Sequence, residues 1–144
     1  GKSFILPSER KYLLAANKSL PSFTISSVSL SANYSQQNWQ KLQTEEGTAV
    51  AINVALLNYE FVKNQSDDKV RAIKAEIINS GNVEYSNIVL KFIVLDSGEN
   101  IIATTESEIF QLQPLERQTI NVTLPAPLGT PSQIIFEPES DIFQ

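Results

Sequence analysis

A chain with neither histidine nor cysteine has few ways to do chemistry. Ser-His-Asp and Cys-His mechanisms need an imidazole to move the proton, so neither can be assembled within it. Zinc sites of the usual kind lose imidazole and thiolate ligands together. Carboxylates remain for acid–base work. Three close pairs stand out, Glu45-Glu46, Asp67-Asp68, and Glu106 with Glu108. All fall in polar turns or flank expected strand ends, where solvated surface accounts for them. Asp96-Ser97-Gly98-Glu99-Asn100 gathers oxygen-bearing side chains near a glycine, as calcium loops do, but lacks their repeated acidic spacing. A hairpin turn explains each of its residues. No G-x-G-x-x-G or G-K-[ST] phosphate loop is present. The expectation is a non-enzymatic chain with no catalytic residues, no metal and no cofactor.

Binding surfaces are the other route to function. Trp39, Tyr34 and Tyr59 are candidates for lining a small-molecule or glycan groove, with the 33–47 loop as its frame. Packing over the edge of a core is the commoner fate of isolated aromatics. The net charge of −5, from 16 acidic and 11 basic residues, argues against nucleic acid, which needs a concentrated basic face. The densest basic point, Glu9-Arg10-Lys11, is short enough to be ordinary solvated surface. Four N-x-S/T sequons, at Asn17, Asn33, Asn64 and Asn121, matter only in a eukaryotic secreted protein. The expected partner is another protein. Ile134-Ile135-Phe136 and Ile142-Phe143 form an apolar edge suited either to strand addition or to closing the domain. Oligomeric state does not follow from the sequence.

The elements that would position these residues read as strands. Residues 1–20 are the exception: Ser8 to Asn17 holds good helix formers behind Pro7, giving a short helix or an ordered arm. In Phe23-Thr24-Ile25 and Val28-Ser29-Leu30 the alternation changes phase, as at a bulge. Thr48 to Val62 carries both patterns, a helical stripe at Val50, Val54, Leu57 and Phe61 and a strand face at Val50, Ile52, Val54 and Leu56. Its length favours a helix; its β-branched density and the break at Gly47 favour a strand, the reading adopted. Ile73, Ala75 and Ile77 alternate with Lys74 and Glu76, the mark of a half-buried strand. Ile88, Leu90, Phe92 and Val94 share one face of the next strand, and Val89, Ile93 and Leu95 the other, as in a central strand covered on both sides.

Asp96 to Glu99 then closes a hairpin into Ile101 to Thr105. Ile109 to Leu112, a turn at Pro114 to Arg117, and Ile120 to Leu124 follow. Pro125, Pro127, Gly129 and Pro131 read as a rigid connector, Gln133 to Glu137 as the last strand, and Pro138 as its end. Short strands at regular spacing, with no helical stretch between the later ones, predict an antiparallel β-sandwich. The expected division is an arm at 1–20, a sandwich at 21–138 and an acidic tail at 139–144.

At 144 residues, 42% of them apolar, the chain can bury a core of its own. No run approaches the ~18–20 apolar residues a membrane span needs. Methionine is absent and the first residue is Gly1, so the expectation is a piece of a longer protein whose anchor lies upstream.

The second half resembles a known family. Ile73-Lys74-Ala75-Glu76-Ile77-Ile78-Asn79-Ser80-Gly81 is similar to the V-x-G-x-V-x-N-x-G opening of bacterial FxLYD-type domains. Phe92-Ile93-Val94-Leu95-Asp96 falls on the F-x-L-Y-D signature, and Leu112-Gln113-Pro114-Leu115-Glu116 on an L-x-P-G-E turn. Ala75, Val94-Leu95 and Leu115 depart from the pattern, and the match spans residues 73–124. The resemblance implies an immunoglobulin-like sandwich, in extracytoplasmic, anchored or secreted proteins, with no catalytic residues to carry over.

Overall fold

The computed structural model describes residues 52–140, which form six strands and no helix. They are β1 (Val54–Lys63), β2 (Val70–Asn79), β3 (Tyr85–Leu95), β4 (Ile101–Leu112), β5 (Arg117–Leu128) and β6 (Gln133–Ser140). The expected arm at 1–20, the strands of 23–30, the 33–47 loop and Ile142-Phe143 lie outside the described residues.

Two antiparallel three-stranded sheets face each other, in the orders β1-β2-β5 and β4-β3-β6. The described residues thus form an all-β sandwich. The β2–β3, β4–β5 and β5–β6 links each cross between the sheets, so that β5 lies beside β2 and β6 beside β3. These two strand pairs interlock the layers.

The core follows the period-two pattern. Ile73, Ala75 and Ile77 of β2 meet Ile88, Leu90, Phe92 and Val94 of β3, all fully buried, with Val122 and Leu124 from β5 and Ile109 and Leu112 from β4. Phe92 packs on its register partner Phe136, ring centroids 5.4 Å apart. The outer face of the β1-β2-β5 sheet is polar, with ion pairs Lys74–Glu60 (3.2 Å) and Arg117–Glu76 (3.8 Å) between neighbouring strands.

The ambiguous 48–62 stretch is a strand from Val54 onward. Its alternation is broken by a register shift between Leu56 and Asn58, which returns Tyr59 and Phe61 to the face of Val54 and Leu56. That shift is why the spacing also looked helical. In β3, Asn87 adopts φ 53° with no shift of the β3–β4 register. It places Tyr85 and Ile88 on the core side three residues apart.

Two expectations about proline are corrected. Pro125 and Pro127 lie inside β5 rather than in a connector. Residues 124–127 oppose only Arg71, since Ala72 pairs with Thr123 and Val70 with Leu128, so the prolines fall where no ladder hydrogen bond is required. Pro138 likewise lies within β6, paired with Leu90, and the strand runs on to Ser140.

Candidate functional site

Among the described residues, the carboxylates singled out in the sequence do not converge. Asp67 and Asp68 belong to the β1–β2 turn, where Asp67 pairs with Arg71 (2.6 Å) and Asp68 with Lys63 (3.0 Å). The Lys69 N–H donates to Asp67 and holds its carboxyl below the usual carboxylate range, with Arg71 acting the same way. Glu106 and Glu108 are exposed on β4. Glu45 and Glu46 lie outside the described residues. Among the described residues no group of three or more carboxylates is placed to hold a metal ion.

Asp96 serves its turn. One carboxylate oxygen accepts from Gly98 N–H (2.8 Å), Asn100 N–H (2.9 Å) and Asn100 Nδ2 (3.2 Å). The Asn100 bonds, then Gly98, hold its carboxyl below the usual range. Glu99 N–H donates to the Asp96 carbonyl (3.1 Å), and Glu99 takes the left-handed position at φ 61°. This is the three-residue hairpin built on a tight turn plus one left-handed residue.

The candidate aromatics are not brought together by any described contact. Tyr59 is half-buried against the core cluster, its ring edge-on to Phe61 with centroids 5.6 Å apart. Trp39 and Tyr34 lie outside the described residues.

A buried ionic site was not read from the sequence. Lys91 and Glu139 form an ion pair on the outer face of the β4-β3-β6 sheet, with side chains only 11% and 17% exposed. Lys91 also stands opposite Glu106 on β4 and Glu137 on β6. In the sequence Lys91 is merely one polar residue in an apolar run; the register of β6 supplies its partner.

A buried polar constellation lies at one pole of the sandwich, where β2 and β4 end and β3 and β5 begin. Asn79 is fully buried there. Its Nδ2 donates to the carbonyls of Val83 (2.7 Å), Gln113 (3.0 Å) and Leu112 (3.3 Å), and its Oδ1 accepts from Gly81 N–H (2.9 Å). The Asn79 backbone donates to the Glu116 carbonyl (3.0 Å) and accepts from Leu115 N–H (2.9 Å). One side chain therefore ties the 80–84 loop of the β2–β3 crossover to the 113–116 turn of the β4–β5 crossover. Gly81 suits this closeness: a Cβ would sit 3.2 Å from both Asn53 Cβ and Asn79 Oδ1, so a side chain there would push its neighbours back. Asn53 joins the pole by donating its N–H to the Tyr85 hydroxyl (2.9 Å). Asn53, Ser80, Gly81, Asn82, Pro114 and Leu115 line a shallow open depression over it.

What this arrangement does chemically is structural. It satisfies backbone groups and presents a rigid surface, and it contains no nucleophile beside a base. Among the described residues no helix is long and apolar enough to cross a membrane.

Comparison with known proteins adds no relative. No protein-family model, curated protein or solved structure matches the chain.

Proposed function

We propose that residues 52–140 are a non-enzymatic, immunoglobulin-like module that makes protein–protein contacts or sets spacing within an anchored or secreted extracytoplasmic protein. The observation that carries the reading is a sandwich whose interior is filled by apolar side chains while the inspected carboxylates are each engaged in a turn or spread over the surface. A chain with no histidine or cysteine has little else with which to build an active site.

The immunoglobulin-like assignment draws support from the interlocked β2/β5 and β3/β6 pairs. The resemblance to FxLYD-type domains supports the extracytoplasmic setting. The residues that carry it are ones with fold roles here: Asn79 and Gly81 build the pole, and Phe92 sits in the core.

The test is a replacement in the full-length gene. Residues 52–140 are exchanged for an unrelated β-sandwich of matching span, and in parallel Asp67, Asp68, Asp96, Glu106 and Glu108 are changed singly to their amides. A spacer tolerates the exchange; a contact module loses function on exchange but keeps it in the amide variants. Loss of function in one amide variant that remains folded overturns the non-enzymatic reading.

A further inference from the structure

Leu115 stands out at the Asn79 pole. It occupies the third position of the Gln113-Pro114-Leu115-Glu116 turn, closed by Glu116 N–H donating to the Gln113 carbonyl (3.2 Å), and has φ 61°. Turns with proline second and a left-handed third residue favour glycine or asparagine there, because a Cβ crowds the backbone. A leucine accepts that strain usefully when its side chain gains burial. Leu115 gains none, being 72% exposed. Val83, whose carbonyl shares the Asn79 amide with that of Gln113, is 52% exposed at the same pole. A strained residue that the fold does not reward is evidence of a role outside the fold.

Charge narrows the partner. Across residues 52–53, 79–84 and 111–116 the only charged side chains are Glu84 and Glu116. The next residue, Arg117, turns to Glu76 on the outer face of the β1-β2-β5 sheet. A second copy meeting this pole across a two-fold axis would bring the carboxylates together, which disfavours self-association.

We infer that Leu115, with Val83 and Pro114, is the anchor of a docking surface for a partner protein segment that presents an apolar side chain next to lysine or arginine. The inference rests on the contact-module reading and names its surface. The rigid turn lets the leucine be displayed without ordering cost on binding, and Glu84 and Glu116 select the flanking cation.

The experiment uses the full 144-residue chain and a displayed library of random linear peptides. Peptides selected on the wild type are measured against Leu115→Gly, Leu115→Asn and the double variant Glu84→Gln/Glu116→Gln. The expected peptides join an apolar residue to a basic one. They bind at least tenfold more weakly to Leu115→Gly, and several-fold more weakly to the double variant with less salt dependence. Leu115→Gly and Leu115→Asn should also melt at or above the wild-type temperature, because the strain is relieved. Selected peptides that bind both Leu115 variants as well as wild type overturn this surface while leaving the contact-module reading intact. A library that yields no binder overturns both. A Leu115→Gly chain that melts well below wild type overturns the strain argument, since the leucine would then be serving the fold.

Discussion

Removing the Asn79 amide is the most direct perturbation of the interlock between the two sheets. Asn79→Ala deletes a fully buried side chain that satisfies four backbone groups. The bonds from Gly81 N–H and to the Leu112 carbonyl are buried, whereas those to Val83 and Gln113 are partly accessible and regain water. A buried group left unsatisfied costs about 1–3 kcal/mol, the low end applying to Leu112, whose bond is long at 3.3 Å. With a small cavity added, the expected loss is about 3 kcal/mol. Domains of this kind have about 5–15 kcal/mol in total, so the variant should fold but with a much lower urea midpoint and an unchanged slope.

The assay is equilibrium urea unfolding of the whole chain followed by circular dichroism. Asn79→Asp separates hydrogen bonding from volume. The introduced carboxyl keeps an acceptor for Gly81 but, ionised, faces three carbonyl oxygens. Burial and those oxygens raise its folded pKa above its unfolded value. The protonated form is then the one compatible with the fold. The stability of this variant is greatest below the unfolded carboxyl pKa, ~3.9, and is lost as pH rises through the higher folded pKa. An alanine variant within about 1 kcal/mol of wild type, or an aspartate variant with the wild-type pH profile, refutes the pole as the structural tie.

Three further outcomes can be measured on the same chain. Glu139→Gln should cost about 1–3 kcal/mol in thermal unfolding, below the full cost of breaking a buried pair because Glu106 and Glu137 still face Lys91, while Lys91→Met should cost more, about 3 kcal/mol, because it leaves Glu139 without its cation beside those two carboxylates. The depressed carboxyls of Asp67 and Asp96 contribute stability that is present above the unfolded pKa of ~3.9 and lost as pH falls through their lower folded values. Asp96→Asn should therefore flatten the fall in melting temperature on acidification, and an NMR titration should place the Asp96 midpoint below that of a free aspartate. Gln118→Met should stabilise by about 1 kcal/mol, since Gln118 Oε1 is inaccessible and without a hydrogen-bond partner; an equal or lower melting temperature would show that the oxygen is satisfied in solution.

Most of the fold was legible because a sheet with one buried face writes its geometry into alternate residues. Ile73, Ala75, Ile77 and Ile88, Leu90, Phe92, Val94 declare both strands and their inward faces with no knowledge of partners. The hairpin at Asp96 was legible for the same local reason, since an aspartate two residues before a glycine closes its own turn. The pattern was ambiguous or misleading where the backbone leaves the ladder. The shift after Leu56 made a strand look helical, and the wide irregularity opposite Arg71 allowed β5 to carry two prolines. Neither irregularity has a residue signature of its own, because each exists only relative to a partner strand.

The candidate site divides in the same way. Sequence alone determined what chemistry is missing, because an absent residue type is absent in every fold. It also marked Gly81, Pro114 and Leu115 as turn positions. Tertiary structure decided that the loop after Asn79 and the turn after Leu112, more than thirty residues apart along the chain, share one buried amide, and that Lys91 finds Glu139 across forty-eight residues. It also decided that Leu115 is held left-handed yet left exposed. Hydrogen bonds between crossovers and the burial of a turn residue depend on which strands become neighbours. That is fixed by the packing of whole faces, which no local stretch of sequence contains.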